Sequence, residues 1–370
     1  MTGATGGRVS EDAKGPLDGV TVVDLCWNLP GPACTWMLAG LGATVVKVEP
    51  VKGEPARNLK PLFSWVNAGK QAIAFDPKDD ASRAALEEQI AAADVLVEGF
   101  RPGKLAALGF DDETLRRLNP SLVRCSISAY GQEGERAADP GHDLNAAALC
   151  GALSLEGRGA PGAWPLPVAD LSAAQLAALR IVAALHERER SGAGAVLDVA
   201  MVDALGPWVA LWREGADLAA LGEEAVPPAG RKVARQALER WLPRRLRSLP
   251  HYGVFRCRDG RYIAVGIVDE NPFWRRLCDA LGMKRARDLP LPARALLGPV
   301  LRRRVARKLR TRPAAHWLEV LGDLPVTEVC SGEEPYRALG DRLVRHRPFH
   351  GSVPLGPAPA RPGRSTQERP

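Results

Sequence analysis

Val20-Thr-Val-Val-Asp-Leu25, Pro30-Gly31-Pro32 and Ala43-Thr-Val-Val-Lys-Val48 decide the fold of this 370-residue chain. The first and third stretches are rich in β-branched residues and largely apolar on both faces, as buried strands are. Between them, Pro30-Gly31-Pro32 reads as a tight turn into a helix from Ala33 to Leu41, and Gly42 ends that helix. A strand, a helix and a strand within about thirty residues form a βαβ unit, right-handed and with parallel strands.

The pattern continues along the chain. Gln71–Phe75, Val95–Val97 and Leu122–Ser128 read as strands, and Asp80–Ala93, Lys104–Leu108 and Asp112–Leu118 as helices. Alternation at these lengths predicts an α/β fold with a doubly wound sheet. Ligands bind such sheets at the carboxyl ends of the strands, so the loops after Leu25, Val48, Val97 and Ser128 are the ones to inspect. Residues 1–17 read as a disordered arm, 18–212 as the large α/β domain and 213–250 as a linker rich in Arg, Pro and Ala. A smaller domain begins at His251 and runs to 324. It opens with a hairpin, Val254–Cys257 and Arg261–Gly266, turned at Asp259-Gly260. Residues 351–370 form a Pro/Arg-rich mobile tail.

Composition narrows the function. The hydrophobic fraction is 46% and the formal charge +7, which suits an anionic partner. The arginine clusters at Arg231–Arg247 and Arg302–Arg312 come without a helix-turn-helix, zinc-finger or RNP-like motif, so no nucleic acid is expected. Seven scattered cysteines without a Cys-x-x-Cys pair argue against a disulfide framework and against a metal site. The polar N-terminus is no secretory signal. No apolar run reaches about 18 residues, so no membrane span is expected, and the cytoplasm is the expected compartment. Gly157, Gly159 and Gly162 match Gly-x-Gly-x-x-Gly, but no strand precedes them and Pro161 lies inside, so they are a decoy.

The candidate chemistry lies between Gly141 and Val199. His142 stands in Gly141-His142-Asp143, where Asp143 is placed to orient it. Asp170 stands where a loop hands over to an apolar helix, Leu171 to Arg190. An aspartate there is equally an N-cap, and the helix dipole favours its carboxylate form. Arg101, after a strand, suits a phosphate. Asp269 and Glu270 follow the hairpin, where acidic residues are commonly solvated.

Five pieces in order resemble the family III CoA-transferases, a group that includes 2-methylacyl-CoA racemases. They are Gly15–Leu25 with Pro30-Gly31-Pro32; Leu41–Pro50; Asp94–Gly103 with Leu108-Gly109; Ser126–Gln132 through Gly141-His142-Asp143; and Val168-Ala-Asp170 with its helix, Ser191-Gly192 and Asp198–Asp203. The resemblance implies a Rossmann-like large domain built from both chain ends, with residues 325–350 returning to it. It implies an inserted small α+β domain, an interlocked homodimer, and a coenzyme A thioester as substrate, with no prosthetic group. In the racemases a histidine matching His142, paired with a carboxylate matching Asp269 or Glu270, works on one face of the α-carbon. An aspartate matching Asp170 works on the other. Backbone N–H groups at the helix start would then hold the enolate oxygen. In the transferases that aspartate attacks the acyl-CoA instead. Arg101, Lys47, Arg57 and Asp143 are the candidates for holding CoA. Leu171-Ser-Ala-Ala-Gln175 replaces the glycines usual after this aspartate. The favoured expectation is a racemase; the alternatives are a CoA-transferase and a catalytically weak acyl-CoA-binding homologue.

Overall fold

The computed structural model describes residues 15–156, 165–218, 249–268 and 270–329. The glycine decoy at 157–162, Asp269, most of the expected linker, the tail and nearly all of the N-terminal arm lie outside these residues. The first unit runs β1 (Thr21–Leu25), α1 (Pro30–Gly40), β2 (Thr44–Pro50), α2 (Lys60–Val66), β3 (Gln71–Phe75), α3 (Asp80–Ala92), β4 (Val95–Glu98), α4 (Lys104–Ala107), α5 (Asp112–Leu118), β5 (Val123–Ser128), α6 (Asp143–Leu149), α7 (Val168–Ser191), β6 (Ala195–Ala200) and α8 (Met201–Leu218). The six strands are parallel, in the order β3-β2-β1-β4-β5-β6. That is the doubly wound order, and its direction reverses between β1 and β4.

Both faces of the sheet are covered. Val22, Val45, Val95 and Val123 face a core shared with α1 and α7. Val23, Leu96 and Val48 face Leu86, Ile90, Leu105 and Phe110 of α3, α4 and the loop that follows α4. α7 buries Ala169, Ala173, Ala174, Ala177, Ile181 and Leu185. These residues repeat every three or four positions, so they form one stripe, and their small side chains let α7 lie close against the core. Gly192 closes the helix in the left-handed conformation at φ 69°. By length and composition alone α7 is apolar enough to cross a membrane. In the fold its alanine stripe is packed inside the protein.

Pro30-Gly31-Pro32 is not a turn before α1 but its first three residues. The correction follows from proline chemistry, since a missing N–H costs nothing in the first turn. Gly31 is obligatory there, because a Cβ would lie 2.2 Å from Cys26 Sγ.

Beneath the carboxyl ends of β1 and β2 lies a buried cluster of charges. Lys70 Nζ sits 3.0 Å from Asp24 Oδ2, 2.8 Å from Thr35 Oγ1 and 2.9 Å from the Pro32 carbonyl oxygen. Lys47 Nζ lies 2.9 Å from Glu54 Oε1 and donates to the Cys26 carbonyl at 2.8 Å. Arg57 binds both oxygens of Glu49, at 2.6 and 2.8 Å. Burial pushes the Asp24 carboxyl up. Lys70, Lys47 and hydrogen bonds from Thr35 and the Cys26 N–H outweigh it, and hold the group well below the usual carboxylate range. Such a group stabilises the fold above the unfolded carboxylate pKa of about 3.9, and that contribution is lost as pH falls towards its folded value.

The second unit is built on a three-stranded antiparallel sheet, β7 (Tyr252–Arg256), β8 (Tyr262–Gly266) and β9 (Val326–Glu328), in that order. Its core gathers Phe255, Ile263, Trp274, Leu277, Val305 and Trp317. The hairpin turns with Gly260 at φ 86°. Residues 326–328 belong to this small sheet, since β9 pairs with β8 through Val265 and Ile263; residues 330–350, the rest of the stretch expected to return to the large domain, lie outside the described residues. α8 also continues to Leu218, past the boundary expected at 212. All six described cysteines are free thiols.

Removing the cation that holds Asp24 leaves a buried, unpaired carboxylate. Lys70→Met is therefore expected to cost about 3–5 kcal/mol, read as a lowered urea midpoint of the first unit. The loss should shrink in the double variant with Asp24→Asn.

Candidate functional site

At the strand-order reversal a cavity of about 490 Å3 opens in the first unit. Three loops and one helix supply its walls. After β1 come Cys26, Trp27 and Asn28; after β4 come Phe100, Arg101 and Lys104; after β5 come Asp139 and Gly141-His142. Asp170 enters from the first turn of α7. The cavity lies at the carboxyl ends of β1 and β4, where the sequence-based reading looked for a site.

Each wall is held from behind. Asn28 is left-handed, φ 65°, a conformation asparagine tolerates better than most residues. Its N–H donates to Glu54 Oε2 at 2.7 Å, and Lys47 grips the neighbouring Cys26 carbonyl. Lys47 is thus 1% exposed and supports the wall from below; it presents no charge to a ligand. Arg57 is committed to Glu49 in the same way. Both were expected to hold CoA, and the correction has one cause: a cation beside buried carboxylates is spent on them. On the second wall, Glu98 accepts the Phe100 N–H at 2.7 Å and the Ser126 hydroxyl. Trp27 and Phe100 meet edge to face with centroids 6.2 Å apart. Arg101 and Lys104 are exposed and form no ion pair among the described residues, so their charge faces the cavity mouth. Lys104, Trp27 and Asn28 were not singled out from the sequence. Lys104 had a signal, standing three residues after Arg101 across the Pro102-Gly103 turn that the Lys104 N–H closes on the Arg101 carbonyl at 3.0 Å.

His142 is the N-cap of α6, a helix not foreseen in the sequence. Its N–H donates to Asn145 Oδ1 at 3.1 Å, and its side chain is exposed at the cavity. Gly141 lets the chain pass close to β5, since a Cβ there would lie 2.6 Å from that of Ala129.

Asp170 is not an N-cap. α7 begins at Val168 after Pro167, a residue with no capping side chain, and Asp170 is its third residue. Asp143 supplies the cap from α6: its Oδ1 accepts the N–H of Ala169 at 2.6 Å and of Asp170 at 3.1 Å. So Asp143 serves α7 rather than orienting its neighbour His142. Burial, and then the Asp143 carboxylate, raise the Asp170 carboxyl to about 7. The helix dipole was expected to favour the carboxylate, but the charge of Asp143 already occupies that end. The Val168 and Leu171 N–H groups are bonded to the Leu166 and Pro167 carbonyls. Hence no N–H in the first turn of α7 is left for an oxyanion, against expectation. Gly31, at the second position of α1, lines the cavity instead, and its N–H has no acceptor among the described residues.

Asp269 lies outside the described residues. Glu270 stands in the second unit, where its Oε2 accepts the Val268 N–H at 2.8 Å and its carbonyl receives the Trp274 N–H at the start of the helix Asn271–Ala280.

The first unit is thus a doubly wound α/β fold with a carboxyl group and an imidazole lining one crevice and two unpaired cations at its mouth. The comparisons give the family. The model of CoA-transferase family III matches residues 17–353, and the chain belongs to that family. It is 32% identical to the acetyl-CoA:oxalate CoA-transferase of Acetobacter aceti, over 83% of this chain and 78% of that one. It is also 32% identical to the alpha-methylacyl-CoA racemase of Mus musculus, over 86% and 78%. Among solved structures, Rv3272 from M. tuberculosis matches with a TM-score of 0.69 at 28% identity, covering 87% of this chain and 85% of that one.

Two outcomes follow from the Asp143–Asp170 contact. Asp143→Asn keeps an oxygen acceptor for α7 but removes the charge, so Asp170 should titrate below about 7; carboxyl-resolved NMR reads this directly. Asp170 binds its proton more tightly when folded, so its burial costs stability as pH rises from about 4 to about 7. Asp170→Asn should therefore stabilise the protein by about 1–3 kcal/mol at pH 8 and far less at pH 4. Thermal melts at the two pH values check the sign.

Proposed function

We propose that this protein moves the α-proton of a 2-methylacyl-CoA thioester, interconverting its epimers, with Asp170 and His142 as the two acid–base groups. The observation that carries this reading is the presence of both groups in one crevice, with the Asp170 carboxyl raised to about 7. Such a group holds and releases a proton at neutral pH, which 1,1-proton transfer needs in both directions. His142 supplies an imidazole to the same crevice. In this reading one group takes the α-proton and the other returns it on the opposite face. The Gly31 N–H receives the growing charge on the thioester oxygen, and Arg101 and Lys104 hold the phosphates of CoA. Trp27 and Phe100 offer a flat apolar wall to the acyl or pantetheine chain. A homodimer belongs to the same reading.

A second reading, CoA transfer with Asp170 as nucleophile, is favoured by the Acetobacter relative named for that activity at equal identity.

The test is NMR of a 2-methylacyl-CoA in deuterated buffer. Deuterium should appear at the α-carbon with loss of configuration, and both His142→Ala and Asp170→Ala should lower its rate by about 100-fold or more. If α-exchange is absent, while hydroxylamine converts an activated Asp170 carboxyl to its hydroxamate with release of carboxylate or CoA, the transferase reading replaces this one.

A further inference from the structure

The second unit carries a cavity of its own, of about 420 Å3 and distinct in chemistry from the first. Its charged lining residues are Lys284, Arg285, Arg304, Arg307 and Lys308, without a carboxylate among them. The volume falls in the range of small-molecule sites. Two rigid walls present the cations. Arg304, Arg307 and Lys308 lie three and four residues apart on the helix Gly298–Leu309, so they share a face. The opposite face of that helix buries Leu301, Val305 and Leu309. The other wall is the short turn Lys284–Ala286, pinned by the Trp274 indole N–H, which donates to the Ala286 carbonyl at 2.9 Å. Gly282, at φ 64°, turns the chain into this wall.

A basic helix face is usually a solvated surface, and the neighbouring cations show what that looks like here. Arg287 pairs with Asp279 at 2.9 Å, Arg275 with Asp288 at 2.9 Å, and Arg276 with Asp323. Arg302 turns inward to the Leu249 and Tyr252 carbonyls and lies over Phe255. The cavity set differs from these pairs: among the described residues none of its five cations has an ion pair or side-chain hydrogen bond, and unlike the equally unpaired Arg303 and Arg310 they line one cavity. The helix Gly298–Leu309 contains five basic residues and no acidic one. Like charges at these spacings weaken a helix, and an anion seated between the walls would reverse that penalty. Arginine forks match phosphate oxygens two at a time. The lining offers no aromatic platform for a base.

We infer that this cavity is a second, non-catalytic site for a compact polyanion bearing contiguous phosphates, a diphosphate by chemical class. The inference does not depend on the reaction assigned to the first unit.

The test uses the full-length protein and inorganic pyrophosphate, followed by calorimetry at about 0.15 M ionic strength. All arms carry Arg101→Ala and Lys104→Ala, so that the first cavity does not contribute. Saturable binding is expected. It should weaken at least about tenfold in Arg304→Ala/Lys308→Ala and remain unchanged in Arg303→Ala, which lies on the same helix outside the cavity. The double variant should melt no lower than its parent without ligand, since it removes repulsion. ADP binding more tightly than pyrophosphate would assign the diphosphate to a nucleotide, and CoA binding more tightly than ADP would assign it to the coenzyme. Absence of saturable binding, or an equal loss in Arg303→Ala, would overturn the inference. So would an oligonucleotide that binds tenfold more tightly than pyrophosphate and is released by the same double variant.

Discussion

The Asp143 carboxylate on the first N–H groups of α7 is the contact on which the site depends. α7 starts after Pro167, which has no side chain to offer the helix end. Free N–H groups at a buried helix start are costly, and the acceptor comes from α6 instead. One oxygen of Asp143 takes two of them, so the start of α7 and the start of α6 are joined. His142 and Asp170 sit on either side of this joint, one residue before Asp143 and one of the two residues whose N–H it accepts. A carboxylate that looks structural therefore fixes the position of both candidate acid–base groups and sets the charge that one of them meets.

The opposite wall rests on a different device with the same logic. Asp24 and Lys47 are register partners on the paired strands β1 and β2. Neither has water to solvate it, so the charges must find partners inside. They do so through Lys70, Thr35 and Glu54, and the last of these reaches the Asn28 N–H. Buried ion pairs contribute little net stability against apolar replacements. What this set contributes is geometry: it holds a left-handed asparagine and the Cys26 carbonyl where the cavity needs a wall.

Much of this architecture was legible in the sequence because parallel sheets are written in local pattern. Apolar strands and intervening helices gave β1 to β5, and the rule for strand carboxyl ends gave the crevice. The Asp259-Gly260 turn gave the hairpin. What escaped was non-local pairing. Asp170 reads as a cap when only its neighbours are considered, since its true capping partner lies 27 residues away. Lys47 and Arg57 read as free cations for the same reason. A signal for Lys47 did exist: Val-Val-Asp-Leu and Val-Val-Lys-Val are twin strands with opposite charges at the same position, and buried strands carry such charges only as pairs. β9 escaped because three residues, Val326–Glu328, are too short to declare which sheet they join.

The chemistry at Asp170 turns on which of two opposing effects prevails. A helix N-terminus lowers a carboxyl pKa by offering N–H groups and positive potential. Burial and a like charge raise it. Here Asp143 takes the N–H groups and adds its own negative charge, so the favourable half of the helix end is spent on a residue that does no chemistry. Asp170 is left with the burial and the repulsion, and its carboxyl rises to about 7. A nucleophile needs only to be ionised and accessible, which the ordinary carboxylate range already provides. A group that must take a proton and give one back is best held near neutrality. The proposed proton transfer rests on a carboxyl held in this range. The same reasoning moves the search for an oxyanion donor away from α7 and across the crevice to the Gly31 N–H, where the two prolines of α1 leave a single donor in its first three residues.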